Sequence, residues 1–211
     1  MTSPTPVNEI LDLRIQISSG FYPVLLNEEV GSAEWARDVV ALVASETSAV
    51  DHEDSLVTEL EDLRIRLLSQ LNPYLTAAVS VRPEKIMSLG ALLTFEIVDT
   101  EPGQGPDWYE EHAKTLVAQP SPEAFTISMN TWRAEITAGD LVGVHQVVEY
   151  RQQDDDAGWV EARTVFGVFP PHAAEMVQFT FTTADLNTFG DMRVETQAIV
   201  ASLELELGQV A

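Results

Sequence analysis

The chain contains no cysteine, and its only lysines are Lys85 and Lys114. The first absence excludes disulfides, thiolate nucleophiles and cysteine-ligated zinc or iron–sulfur centres. Positive charge is scarce as well: 34 acidic residues face 11 basic ones, for a formal net charge of −23. The imbalance is not confined to a tail, because residues 1–100 carry 16 acidic and 6 basic groups and residues 101–211 carry 18 and 5. Binding a phosphate backbone or an anionic membrane needs clustered Lys and Arg, so neither direct nucleic-acid binding nor membrane association is expected. Long apolar runs are also missing. No stretch approaches 18 uncharged apolar residues, and the opening Met1-Thr2-Ser3-Pro4-Thr5-Pro6 has no basic segment leading into an apolar one, so the expectation is a cytoplasmic protein. Few lysines with abundant Ala and Val suit a GC-rich bacterial source.

What is present suffices for a folded chain. The 211 residues are 45% hydrophobic and 8% aromatic, and a chain of this length buries roughly 70% of the surface its unfolded form exposes. We expect one α+β domain over residues 1–211, with 1–8 a flexible N-terminus. Apolar positions in helical spacing predict helices over 32–44 (Trp35, Val39, Leu42, Val43) and 52–71 (Leu56, Leu60, Leu63, Leu67), the second capped by Asp51 and stopped by Asn72-Pro73. A helix is expected over 107–118, acidic in its first turn, and another over 187–203, with Phe189, Met192, Ala198, Ile199 and Leu203 on its buried stripe.

Alternation with a period of two predicts strands over 13–18, 74–81, 89–98, 125–130, 133–138 continuing at 141–151, 159–169 and 176–182. Arg82-Pro83-Glu84-Lys85 separates one pair, and Asp154-Asp155-Asp156-Ala157-Gly158 reads as a hairpin turn. Glu101 to Pro106 is a loop. The fold expected is a mostly antiparallel sheet flanked by helices, as an α/β/α or two-layer sandwich.

Alternation also sorts side chains onto faces. One face collects Leu93, Phe95 and Ile97, then Phe125, Ile127 and Met129, and Val177, Phe179 and Phe181. The other collects Thr94, Glu96, Thr126, Ser128, Asn130, Gln178, Thr180 and Thr182. His145 shares parity with Glu149, and Glu161 with Arg163. If the helices leave part of the polar face open, His145, Glu149, Glu161 and Arg163 are the candidate ligand-binding residues, with His145 and a carboxylate as a candidate acid/base pair. His52, His112 and His172 lack the His-x-x-x-His spacing that sets two ligands on one helix face, so no metal is expected and no cofactor is implied. Ser18-Ser19-Gly20 and Gly103-Gln104-Gly105 read as turns. The triple aspartate lacks the Gly and distal Glu of a calcium-binding EF-hand loop.

The order of elements over about the last 70 residues, with the pre-terminal Gln178-Phe179-Thr180-Phe181-Thr182-Thr183 and the closing Ala201-Ser202-Leu203-Glu204-Leu205, resembles the PsbP-like fold family, which includes LpqN-type lipoproteins. The resemblance implies an antiparallel sheet between helices and a protein-binding role. It transfers no residue roles, and without a lipobox cysteine the lipoproteins' location does not carry over. The leading expectation is therefore a non-enzymatic accessory protein that binds another protein. The alternatives are a small-ligand or enzymatic site on the polar sheet face, and an acidic mimic of nucleic acid.

Overall fold

The structure is a computed structural model that describes residues 8–27, 29–46, 53–83, 87–117, 123–151 and 158–209. The elements in chain order are β1 (Asn8–Arg14), β2 (Phe21–Val24), α1 (Ser32–Glu46), α2 (Glu53–Ser69), β3 (Thr76–Pro83), β4 (Met87–Asp99) and α3 (Pro106–Val117). They continue with β5 (Ala124–Ile136), β6 (Gly139–Tyr150), β7 (Trp159–Phe169), β8 (Glu175–Thr183), α4 (Met192–Val200) and β9 (Glu204–Gln209). This is an α+β protein of mostly antiparallel sheets flanked by helices. No helix among the described residues is long and apolar enough to cross a membrane. The chain divides into two compact units, Ser18–Thr94 and the remainder, and β4 contributes residues to both.

In the Ser18–Thr94 unit, β2 pairs antiparallel with β3, and β4 follows β3 in the sheet. The leucine stripe of α2 behaves as its spacing requires: Leu56, Leu60, Leu63 and Leu67 are all buried, in one core with Trp35, Val39, Val40 and Val43 of α1 and Ala77, Val79 and Val81 of β3. Burying side chains of this size stabilises by about 1.5–3 kcal/mol each. The Trp35 indole N–H also donates to Pro23 O at 3.1 Å, which ties α1 to β2. Within α2 lies a charge that periodicity does not announce. Arg64 is 1% exposed and donates to Leu25 O at 2.7 Å, Ser32 Oγ at 2.7 Å, Asn27 O at 2.6 Å and Val30 O at 2.8 Å. Carbonyl dipoles, rather than a carboxylate, satisfy this buried guanidinium, and in return it fixes the connection from β2 to α1.

In the other unit the strand order is β4-β8-β7-β6-β5. The register places Trp132, Gly143, Phe166 and Phe179 in one row across β5 to β8, and Arg133, Val142, Gly167 and Gln178 in the adjacent row on the opposite face. On the first face lies α4, where the Trp132 indole N–H donates to Gln197 Oε1 at 2.7 Å. On the second lies α3, making three layers. A glycine admits an aromatic ring on each side. A methyl at Gly143 would overlap the Trp132 ring, and one at Gly167 would stand 3.2 Å from the ring of Tyr109.

Several boundaries differ from the sequence reading. The closing helix starts at Met192, not 187, because Asp185 turns the chain through Asn187 N (2.9 Å) and Asp191 caps the helix by accepting from Arg193 N and Val194 N. It ends at Val200 rather than 203, and residues 204–209 form β9, a strand the periodicity did not predict. β9 pairs antiparallel with β1, which runs Asn8–Arg14 rather than 13–18. The stretches 125–130 and 133–138 are one strand, β5, with a register shift between Thr126 and Ser128. Phe125 and Ile127 are consequently exposed, at 44% and 60%, instead of facing a core. The expected Asp51 cap, His52, Glu84-Lys85, the helix end at Gln119-Pro120, and the Asp154-Asp155-Asp156-Ala157 turn lie outside the described residues.

Arg64 gives a direct test. Arg64→Leu removes every donor that meets the Leu25, Asn27 and Val30 carbonyls, and is expected to destabilise the Ser18–Thr94 unit by about 3 kcal/mol or more. Arg64→Lys should recover little, since an ammonium lacks the planar fork. Urea unfolding followed by Trp35 fluorescence measures both.

Candidate functional site

The register divides the four candidate residues into two pairs. His145 pairs with Thr164 and Glu149 with Val160, on the α4 side, whereas Glu161 pairs with Val148 and Arg163 with Gln146, on the α3 side. His145 meets Thr164 rather than a carboxylate, with Nδ1 2.9 Å from Thr164 Oγ1. Burial and then the Arg193 charge hold its imidazole below the ordinary histidine range, against an opposing effect of Asp191. Glu149 accepts from Arg151 Nε and Nη2, both at 3.0 Å, which depresses its carboxyl. These two residues thus have partners of their own and do not share a cleft with Glu161 and Arg163.

On the α3 side the sheet face is only partly covered. α3 begins where Tyr109 N donates to Gly105 O at 3.0 Å, after the Glu101 to Gly105 loop. Its first half is clamped to β5. Arg133 reaches Asp107 at 2.6 Å and Glu110 at 2.9 Å, and Thr131 Oγ1 donates to Glu110 Oε1 at 2.9 Å. Lys114 adds a bond to Glu110 at 2.9 Å. Hydrogen bonds from Lys114, Arg133 and Thr131 hold the Glu110 carboxyl at about 2. Beside the clamp the Tyr109 ring lies over Gly167 and edge-on to Phe169, with centroids 5.7 Å apart. Its hydroxyl donates to Gln178 Oε1 at 3.1 Å, and burial raises the phenol above its ordinary range.

One turn further along α3 the position of Tyr109 is taken by Ala113, whose methyl cannot fill the same depth. Under it a cavity of about 300 Å³ opens, roofed by Tyr109, His112, Ala113 and Leu116 and floored by Val144, Gln146, Arg163, Val165 and Gln178. Leu116 is 53% exposed and His112 stacks on Trp108, with centroids 4.6 Å apart, so these two form the rim. At the floor Arg163 Nη2 donates to Glu161 Oε1 at 2.8 Å. Arg163 Nε is buried and has no partner among the described residues. That nitrogen is closed off from the cavity, so the side chain, 35% exposed, meets the space through its other atoms.

A larger space of about 500 Å³ lies between the loop from Thr100 to Pro106 and the segment from Phe169 to Glu175. There, Thr100 N and Oγ1 both donate to Ala174 O, at 2.8 and 2.9 Å, so the loops satisfy each other. Among the described residues no three His, Asp or Glu side chains are gathered for a metal ion.

Of the sequence candidates, Arg163 lines the cavity, Glu161 orients it, and Gln178 of the expected polar face joins them. Tyr109, Ala113, Gln146 and Val165 were not anticipated. Gly167, within the apolar run Val165 to Phe169 of β7, was the available signal, because an interior strand glycine marks a close approach from outside the sheet. The chain matches no protein-family model and no curated protein.

The clamp carries a pH dependence. A carboxyl held at about 2 in the folded chain, below its ordinary value of 4.5, contributes stability above that value. The contribution is lost as pH falls from 4.5 through 2. The docking of α3 should therefore weaken over this window, and Glu110→Gln should flatten the response; Trp108 fluorescence against pH reports it.

Proposed function

We propose that the protein is a non-enzymatic binding protein that holds a small, partly apolar organic molecule in the cavity under α3. The observation that carries this reading is the Arg163 side chain at the floor of that cavity, 35% exposed and bonded through Nη2 to Glu161. Ligand sites are typically concave, mostly apolar and supplied with a few convergent polar groups, and here Val144, Val165 and Leu116 provide apolar walls around Arg163, Gln146 and Gln178. The lining supports binding better than catalysis. Among the described residues its one hydroxyl, on Tyr109, is a donor whose proton burial retains, and His145 faces α4. A cytoplasmic bacterial setting goes with this proposal on compositional grounds.

A second reading, the protein-binding accessory role, is favoured by β5. It ends the strand order, so one side of it has no strand neighbour among the described residues, and it exposes Phe125 and Ile127. With a net charge of −23, the fitting occupant is an extended basic segment adding to that edge. Ile127→Lys should abolish capture of such a partner, and raised salt should weaken it. Capture unchanged by both would remove this reading.

The cavity reading is tested by filling the cavity. In a thermal-shift screen of small organic acids, amides and alcohols, a ligand at a hundredfold excess over its Kd should stabilise the protein by about 2.7 kcal/mol. Ala113→Trp, which places an indole in the cavity, should abolish that shift while leaving the circular dichroism spectrum unchanged. A shift that survives the substitution, or no shift with any compound, would exclude the cavity as the binding site.

A further inference from the structure

We infer that the ligand of the α3 cavity is a compact monocarboxylate, received by Arg163 with its apolar body against Val144 and Val165. The inference rests on the reading of this cavity as a ligand site and specifies its chemistry. Donors outnumber acceptors there. Among the described residues Arg163 commits Nη2, to Glu161, and its Nη1 has no partner. Gln178 accepts from Tyr109 through Oε1, which leaves its amide NH2 as a further donor facing the same space. A site with a guanidinium on its floor favours an anionic acceptor, and a planar guanidinium suits a planar carboxylate.

Size and charge narrow the choice. At about 300 Å³ the cavity sits at the lower end of the range for ligand pockets, which favours a single ring or a short chain. Among the described residues Arg163 is the only Lys or Arg in the lining, and Glu161 already balances part of its charge. A dianion such as a phosphate monoester would find too little positive charge and too much aliphatic wall. A monoanion with an apolar body satisfies both halves of the lining. Glu161 competes with that ligand for the guanidinium, so the pair also sets the affinity.

The test is calorimetric titration of the full chain with sodium benzoate and sodium hexanoate, against benzamide and hexanamide as uncharged counterparts. Each acid should bind about tenfold or more tightly than its amide, the difference one charge-assisted hydrogen bond supplies. Arg163→Gln should remove that preference by weakening the acids alone. Glu161→Gln should act in the opposite direction, tightening the acids severalfold and leaving the amides unchanged, which a merely unfolded or loosened variant does not do. Amides binding as well as acids, with both lost in Ala113→Trp, would overturn the carboxylate assignment while leaving the cavity as a binding site. No binding by any of the four compounds, or binding that survives Ala113→Trp, would overturn both.

Discussion

The seating of Tyr109 over Gly167 is the contact on which the α3 side of the sheet depends. The apolar end of β7, Val165 to Phe169, gives up one side chain at Gly167, and an aromatic ring from the helix takes the vacated space, with its hydroxyl satisfied by Gln178. Together with the Glu110 and Arg133 clamp, this fixes the first half of α3 against the strands. Among the described residues the second half has no equivalent anchor, because Ala113 replaces a ring with a methyl group. The cavity therefore follows from an anchored helix that changes side-chain size after one turn.

The same economy appears in how the few cations are used. In a chain this acidic each cation meets an excess of acceptors, and the structure shows three outcomes. Arg64 is solvated by backbone carbonyls and organises a loop. Arg133 is shared between two carboxylates and holds a helix. Arg163 gives one nitrogen to Glu161 and stands 35% exposed at the floor of a cavity. The first two roles are architectural. Only the third leaves recognition chemistry unspent beside an open space.

Much of the architecture was legible because periodicity is a local property. The leucine spacing placed α2 within two residues of its observed ends, and 159–169 coincides with β7. Elements whose limits depend on side-chain capture were less legible. Asp185 and Asp191 reset the start of α4, and β9 exists because β1 is there to pair with it. The site was half legible for a definite reason. Parity within a strand is fixed by the pleat, but parity between strands is fixed by the length of the turn joining them. Here odd-numbered residues of β6 pair with even-numbered residues of β7, so His145 and Glu149 face away from Glu161 and Arg163. Like parity alone therefore combines two faces into one cleft.

The central claim is that recognition takes place beneath the second half of α3. A crystal structure of the protein grown with benzoate tests it most directly. The account predicts electron density for the ring between Val144 and Val165, with its carboxylate within hydrogen-bond distance of the Arg163 guanidinium. Benzoate density found elsewhere on the molecule, with the space under Ala113 holding only solvent, would contradict it.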